Sequence, residues 1–273
     1  MSTNFSLTLL DKAMYQNLPA QPLLAAYCNP LSLPAMQEKN SFEEGRVLLI
    51  NKPLRWTSFD AVRKIRNLTR TKKVGHAGTL DPLATGLLIV CTGKFTKKIN
   101  EYMAQEKEYT GTITLGAVTP TFDLESEPQD FKPVDQLTEE DLRNATAPFT
   151  GSILQVPPIH SAIKKEGKRV YELARRGEDV KLEPRPVTIT EFQLTKIELP
   201  VVHFKVVCST GTYIRSLAND FGVQLGCGAY LSSLCRTRIG NFKLTDAMTI
   251  EQLEEEIRGV KTILQNEENT GNK

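Results

Sequence analysis

The sequence predicts an α+β protein in which a mixed, mostly antiparallel sheet is flanked by helices. Its 273 residues are 40% hydrophobic and 24% charged, which is ordinary for a globular chain that buries a core. Strand-like and helix-like patterns alternate irregularly along the chain. Two strand patterns, at 187–198 and 201–209, are separated by only Leu199 and Pro200. So short a connection joins antiparallel strands, because a parallel pair needs a crossover of about a dozen residues or more.

The predicted elements begin with an apolar run at 46–50, which is typical of a buried strand. Thr57 or Ser58 then caps a helix, because either hydroxyl can accept a hydrogen bond from the first helical turn. Further strands are predicted at 87–91, 109–116, 187–198 and 201–209. Further helices are predicted at 94–102, 137–149, 169–176 and 212–225, and after a capping box that begins at Thr249.

The chain divides into a central domain and two margins. Residues 1–44 contain four prolines and no sustained period, which predicts a largely irregular N-terminal extension. A folded domain is predicted over 45–264 and a polar tail over 265–273. Within the domain, the acidic and proline-containing stretch 123–135 predicts a surface loop.

Composition excludes several classes of protein. No apolar run approaches the ~18 residues that a membrane-spanning helix needs. The N-terminus lacks the basic and apolar pattern of a secretory signal, so we expect a cytoplasmic protein with no membrane partner. The five cysteines form no C-x-x-C pair, which favours buried, reduced thiols over a zinc ribbon or a disulfide scaffold. The three histidines are too scattered for a zinc motif, so we expect no metal.

The net charge of +2 conceals a strong asymmetry. Residues 46–120 carry 13 basic and 5 acidic side chains, a net charge of +8, whereas residues 121–151 carry a net charge of −6. Basic side chains are concentrated on the predicted helix after Ser58 and in the turn that follows it. Clustered lysine and arginine are what a polyanion such as nucleic acid requires. A solvated helix face is an equally good explanation of the charge alone.

One segment, residues 73–88, combines residues that carry chemistry. Gly75 and Gly78 allow close approach of the backbone to a ligand, and Pro82 keeps Asp81 out of a helix. A carboxylate in such a rigid loop can act as a nucleophile or a base. The structural alternative is that Asp81 caps a turn and His76 packs locally. No phosphate-binding loop or nucleophile elbow is present elsewhere.

The run GHAGTLDPLATGLL in this segment is similar to the signature of the bacterial tRNA pseudouridine synthase B family. These enzymes isomerise the uridine at position 55 in the tRNA T-loop. The resemblance extends from about residue 45 to about residue 250. Its other motifs are KEY at 107–109, QVPP at 155–158, GKRVY at 167–171, STGTYIR at 209–215, GCGA at 226–229 and LCR at 234–236.

This resemblance implies the pseudouridine synthase catalytic fold, with a segment at about 155–185 that grips the RNA. Many members continue into a small RNA-binding domain of the PUA type, and the few residues after 264 are too short to form one. The implied substrate is the T-arm of tRNA. No cofactor is expected, because the reaction involves neither net redox change nor hydrolysis. We expect a monomer.

The resemblance also implies roles for individual residues. Asp81 is the catalytic carboxylate and Arg215 its ion-pair partner. Tyr109 stacks on the extruded base and can take the proton from C5. The other implied contacts to substrate are Tyr213, which lines the pocket, Leu234, which excludes water, His76, which touches the flipped nucleotide, and Lys97 and Lys52, which neighbour a phosphate or the active site.

The residues leave open how the carboxylate acts and whether the chain belongs to another functional class. The carboxylate could attack C1′, attack C6 or remove a proton from C2′. A non-catalytic tRNA-binding protein or RNA chaperone would share the basic surface, although it would not need Asp81, Tyr109 and Arg215 together. A nucleoside hydrolase is disfavoured because it needs a second carboxylate, and none accompanies Asp81 within its motif.

Overall fold

The computed structural model describes residues 41–159, 164–165, 168–169 and 182–259. Most of the N-terminal extension, nearly all of the predicted helix at 169–176 and the polar tail lie outside these ranges. The helices are α1 Ser41–Glu44, α2 Ser58–Thr69, α3 Ile99–Ala104, α4 Glu139–Asn144, α5 Ile214–Gln224 and α6 at 250–259. The strands are β1 Val47–Lys52, β2 Val74–His76, β3 Ala84–Thr92, β4 Lys107–Leu115, β5 Gly151–Gln155, β6 Lys164–Lys165, β7 Lys168–Arg169, β8 Arg185–Glu198, β9 Val201–Cys208, β10 Ala229–Ile239 and β11 Phe242–Lys243.

One large sheet organises the described part of the chain. Its strands lie in the order β1-β3-β10-β4-β9-β8-β5, with β2 paired to the end of β3 and β11 to the end of β10. Among these strands β3 and β10 run parallel, and the other pairs are antiparallel. The predicted mixed, mostly antiparallel sheet is therefore confirmed.

The central strand β10 is absent from the predicted elements. Its alternation is interrupted by register shifts between Leu231 and Ser233 and between Arg236 and Arg238. A bulge of this kind inserts an extra residue and reverses the face on which later side chains lie. The pattern of period two is therefore lost from the sequence, although β10 joins the two halves of the sheet.

Two predicted helices are shorter than expected. The segment predicted at 94–102 splits into a 3₁₀ turn, Gly93–Lys98, and α3. The helix predicted at 137–149 ends at Asn144, and a separate 3₁₀ turn that contains Pro148 follows it. Proline removes a backbone donor and prevents a continuous helix at this point.

Two helix starts agree with prediction. The Thr57 side chain accepts a hydrogen bond from the Asp60 backbone at 3.0 Å, which caps α2. Thr138 caps α4 in the same way through Asp141.

The hydrophobic core has two main parts. The larger cluster packs α5 against the β4, β9 and β8 half of the sheet, around Phe204 and Phe221. The second cluster packs α2 and α6 against β1 and β3, around Ile50, Ile65 and Leu253. The boundary between the two parts falls near the start of β3, which follows the Asp81 segment directly.

Candidate active site

The loop that carries Asp81, residues 77–83, is clamped by the first residue of α2. The Ser58 hydroxyl donates to the Leu80 carbonyl at 3.1 Å and accepts from the Leu80 backbone N–H at 2.8 Å. The Ala84 N–H donates to the Asp81 carbonyl at 3.1 Å, which forms a tight turn into β3. The Asp81 side chain remains 36% exposed. The loop is therefore held by its backbone while its carboxylate reaches an open space.

Arg215 binds the Asp81 carboxylate with two nitrogens. Its Nε lies 2.9 Å from Oδ2 and its Nη2 lies 3.3 Å from Oδ1. Arg215 is itself buried, with 5% of its side chain exposed. A bidentate arginine–carboxylate pair fixes the orientation of the carboxylate through two charge-assisted hydrogen bonds.

A second carboxylate, Asp123, completes this cluster and was missed by the sequence analysis. Its Oδ2 lies 3.6 Å from Arg215 Nε, and its side chain is only 5% exposed. The prediction of a surface loop over 123–135 is therefore wrong at its first residue. The chain is anchored there because the Leu231 N–H donates to the Phe122 carbonyl at 2.9 Å. Only the position of Asp123 at the edge of an acidic run hints at this in the sequence.

The backbone around Tyr213 places Arg215 in the first turn of α5. The buried Gln155 amide accepts from the Tyr213 N–H at 2.8 Å and donates to the Tyr213 carbonyl at 3.0 Å. Since Gln155 ends β5, the sheet edge determines where α5 begins. Tyr213 itself is half-buried.

Arg236 supports the other side of the catalytic loop. Its Nε donates to the Leu87 carbonyl at 2.8 Å and its Nη2 to the Gly78 carbonyl at 3.1 Å, while only 1% of the residue is exposed. Arg236 pairs with Gly86 across the parallel β3–β10 ladder. A Cβ on Gly86 would lie 2.4 Å from the Arg236 carbonyl, and its φ of +101° also requires glycine.

Tyr109 faces this arginine from the neighbouring strand. The two residues are direct partners in the β4–β10 ladder, and Tyr109 is 8% exposed. Burial raises the pKa of the Tyr109 phenol, Arg236 opposes the rise, and the negative charge of Asp81 adds to it. The phenol is therefore neutral near pH 7 and lies within the electrostatic range of Asp81.

A small cleft opens in front of the Asp81 carboxylate. It is lined by Asp81, Leu83, Ala84, Asp123, Leu231, Ser232, Ser233 and Leu234. Leu234, 9% exposed, pairs with Ala84 at the start of β3. The cleft therefore combines an apolar wall with a carboxylate, as a site that excludes water from a reaction requires.

Lys52 is completely buried beside this loop. Its Nζ donates to the Pro53 carbonyl at 2.9 Å and to the Trp56 carbonyl at 2.6 Å. Burial lowers the pKa of Lys52 to about 8, and the negative charge of Asp81 opposes this decrease. These contacts agree with the prediction that Lys52 neighbours the active site. They do not agree with a contact to phosphate, because the ammonium is buried and bound to two carbonyls.

His76 and Lys97 lie further along β3 from Asp81. His76 pairs with Val90 in the β2–β3 ladder, and burial lowers its pKa, so that its ring is neutral near pH 7. Its Nδ1 has no hydrogen-bond partner within the described residues. Lys97 is exposed on the 3₁₀ turn that follows β3. No ion pair in the described part of the chain joins either side chain to Asp81.

The other expectations from composition concern metals, membranes and thiols. Within the described ranges, no group of three or more His, Cys, Asp or Glu is placed to hold a metal ion. No described helix is long and apolar enough to cross a membrane. Cys91, Cys208 and Cys227 are free and buried as predicted, whereas Cys235 is half-buried. Cys28 lies outside the described residues.

The fold is similar to that of chains in several solved structures. A chain in the archaeal box H/ACA sRNP Nop10–Cbf5 complex aligns with a TM-score of 0.62 and 25% identity. A chain in a Cbf5–Nop10–Gar1 complex aligns with a TM-score of 0.62 and 28% identity. The alignments cover 84% and 83% of this chain, and it spans 58% and 59% of theirs. The mixed sheet and its helices thus define a fold of the class that these two chains share.

Comparisons of the sequence with family models and with known proteins show which family the chain belongs to. The model for the TruB family pseudouridylate synthase N-terminal domain matches residues 66–214, and that for the tRNA pseudouridylate synthase B C-terminal domain matches residues 215–268. The tRNA pseudouridine synthase B of Flavobacterium johnsoniae is 52% identical over 222 residues, which cover 79% of this chain and 97% of that protein. The enzyme of the same name from Phocaeicola vulgatus is 50% identical over 79% of this chain and 94% of that protein. The chain belongs to the TruB family of pseudouridylate synthases.

Proposed function

We propose that the chain isomerises uridine to pseudouridine in tRNA, at position 55 of the T-loop. Membership of the TruB family supports the reaction and the substrate class. The observation that carries the assignment to this site is the bidentate Arg215–Asp81 pair at the mouth of the cleft. A non-catalytic RNA-binding protein has no use for an oriented, half-exposed carboxylate.

The reaction breaks the bond between ribose C1′ and uracil N1, turns the base, and joins C1′ to C5. The proton on C5 leaves to solvent, so atoms and electrons balance without a cofactor. Asp81 acts in its ionised form, either on the base, on C1′ or on the C2′ proton. Arg215 holds the carboxylate in one orientation, and Asp123 lies 3.6 Å from the same Nε of Arg215 and helps to keep the guanidinium in place.

The target uridine is stacked within the folded T-loop and has to be extruded into the cleft. Tyr109 replaces the lost stacking, which is worth about 1–3 kcal/mol per base. Burial raises the pKa of the Tyr109 phenol, which favours stacking and hydrogen bonding by the neutral ring. Removal of the C5 proton by Tyr109 stays a prediction. Leu234 forms the apolar wall that excludes water from the severed bond. Tyr213 is not among the described residues that line the cleft, and its contact with the base stays a prediction.

The remaining substrate contacts belong to the outer parts of the site. His76, neutral and half-buried, would contact the flipped nucleotide, and Lys97 would contact a phosphate. Lys52 would act on Asp81 through its charge. The segment at about 155–185 would grip the T-arm, and the folded domain at 45–264 would serve this RNA as a monomer in the cytoplasm.

Tritium release tests the proposed function. A tRNA transcript labelled with tritium at uridine C5 should lose label in proportion to pseudouridine formed. Tight binding without release would indicate an RNA chaperone, and free uracil in solution would indicate a hydrolase. A T-arm hairpin should keep kcat/KM within about tenfold of that for full-length tRNA, ~1.4 kcal/mol, if the contacts are confined to the T-arm.

Chelator treatment tests the expectation that no metal takes part in the chemistry. Activity should survive EDTA provided that the tRNA is kept folded. Loss of activity that zinc restores, with tRNA folding verified, would contradict it.

A further inference from the structure

A groove lies on the outer face of α2, next to the catalytic loop and separate from the cleft. It has a volume of about 380 Å³, within the range of small-ligand sites. Its lining consists of Arg55, Trp56, Asp60, Arg63, Lys64 and Asn67. The four helical members are three or four residues apart, so they share one face of α2. We call this the Trp56 groove.

Arg55 stands at the end of the groove nearest the active site. Its backbone N–H donates to the Pro82 carbonyl at 2.7 Å, and Pro82 is the neighbour of Asp81. Arg55 has a φ of +66°, in the left-handed region that glycine adopts without strain. Strain of this kind at a non-glycine residue is concentrated at functional sites. The backbone of Arg55 is thus held beside the loop that carries Asp81, in a conformation that is unfavourable for arginine.

Some cations in the Trp56 groove are in ion pairs, and one is not paired with any carboxylate among the described residues. Arg63 pairs with Asp60 at 2.8 Å, and Lys64 pairs with Glu254 at 2.8 Å. Among the described residues no carboxylate pairs with Arg55, which is exposed. Arg55 is therefore the cation of the groove that is available to bind an anion such as a phosphate.

The other two features suit a nucleobase. Trp56 packs partly against the core cluster under α2 and is half-buried, and Lys52 Nζ holds its carbonyl at 2.6 Å. The backbone of Trp56 is thus held by a buried lysine that also interacts with Asp81 through its charge, and packing on the core cluster positions the indole. The exposed Asn67 has no side-chain hydrogen bond within the described ranges, and its amide can both donate to and accept from a base edge.

We propose that the Trp56 groove binds one nucleotide of the RNA strand that flanks the target uridine. The base stacks on the Trp56 indole, its edge meets Asn67, and its phosphate binds the Arg55 guanidinium. This inference rests on the proposed function, because the strand that leaves the cleft is the substrate RNA. It adds a second, non-catalytic point of attachment that fixes the RNA relative to Asp81.

Trp56 is the only tryptophan in the chain, so intrinsic fluorescence reports on this groove directly. A T-arm hairpin should be titrated into the Asp81→Asn variant, which binds without turnover. Stacking of a base on the indole should quench the fluorescence, with the same midpoint as binding measured by filter retention. Saturated filter binding without a change in fluorescence would overturn the proposal.

Substitution at Arg55 separates binding from folding. Arg55→Gly removes the guanidinium and also relieves the left-handed strain, so the Tm should stay equal or rise. The expected loss falls on KM, about tenfold, and the slope of log K against log salt should decrease by about 0.7, the value for one contact to a single strand. Trp56→Leu should also raise KM while it retains apolar packing.

A matched control removes the same charge elsewhere. Lys196 is exposed on β8, five strands away from β1 in the sheet. Lys196→Ala should leave KM and the salt slope unchanged. Equal effects of Arg55→Gly and Lys196→Ala would overturn the proposal. Failure of the proposed function would be distinguishable, because the unaltered protein would then release no tritium while the fluorescence titration still reported on the groove.

Discussion

The two sides of the catalytic loop are both built on a buried arginine, but the partners differ in kind. Arg215 is balanced by the carboxylates of Asp81 and Asp123. Arg236 donates to backbone carbonyls, those of Leu87 and Gly78. Carboxylates determine the charge of the site, whereas carbonyls determine the path of the backbone. The difference indicates that Arg215 acts on the chemistry of Asp81 and Arg236 on the shape of the loop that carries it.

Two buried lysines belong to the Arg236 side of this comparison. Lys52 Nζ donates to the carbonyls of Pro53 and Trp56, and Lys107 Nζ donates to those of Gln105 and Met103. Burial lowers the pKa of each lysine to about 8, with Arg236 contributing to both shifts. The carbonyl-bound side therefore holds buried cations that no carboxylate among the described residues contacts directly, whereas the Arg215 side balances its cation with two carboxylates.

Asp81→Asn should have the largest effect, because it removes the carboxylate that we propose as the reacting group and leaves the scaffold on both sides. We expect isomerisation to be abolished, while tRNA affinity stays within about tenfold, ~1.4 kcal/mol. Tritium release measures the first quantity and filter binding the second. Residual turnover above a few per cent would falsify the catalytic assignment of Asp81.

Arg215→Lys should impair chemistry far more than stability. Lysine keeps the charge but cannot form the two-nitrogen contact with Asp81, so its carboxylate loses its fixed orientation. We expect kcat to fall about 100-fold, ~2.7 kcal/mol, with tRNA affinity nearly unchanged. Single-turnover kinetics with saturating enzyme separates the two quantities. A kcat within about twofold of the unaltered protein would show that orientation by Arg215 is unimportant.

Arg236→Lys should show the opposite balance. A single ammonium cannot reach the Leu87 and Gly78 carbonyls together, so at least one buried acceptor is left unsatisfied. We expect the free energy of unfolding to decrease by about 2–3 kcal/mol, measured by urea denaturation. If Arg236→Lys were as stable as the unaltered protein and Arg215→Lys were not, Arg215 and not Arg236 would be the residue that maintains the shape of the loop.

Lys52→Met should have the smallest effect on activity, and it should change the pH dependence of the free energy of unfolding. The folded-state pKa of Lys52 is about 8, below its ordinary 10.5, so between these pH values the unfolded chain binds more protons. The Lys52 contribution therefore makes the free energy of unfolding rise as pH increases through this window, by about 3 kcal/mol at most.

Lys52→Met should remove the Lys52 contribution to the increase of the free energy of unfolding with pH. Urea denaturation at pH 7.5 and pH 10 measures it, with the exposed Lys196→Met as the control. A pH dependence that is identical in Lys52→Met and Lys196→Met would contradict the burial effect.

The sequence by itself determined the elements whose signal is local. The caps at Thr57 and Thr138, the antiparallel pair β8–β9 and the Asp81 loop all follow from patterns within a few residues. The catalytic candidates Asp81 and Arg215 were recognised because each lies within a distinctive short motif. Hydroxyl caps, alternation of polar and apolar residues, and glycine-rich loops depend only on residues close in sequence, so they can be predicted without the tertiary structure.

Tertiary structure alone decided the features that join distant segments. Asp123 meets Arg215 across 92 positions, and only the anchoring of Phe122 to Leu231 turns the start of an acidic run into a buried site. The strand β10 carries bulges that hide its alternation, yet it places Arg236 beneath the Asp81 loop. The physical reason is that burial and strand pairing depend on which segments meet in space. A local sequence pattern does not identify a contact partner that is distant in the sequence.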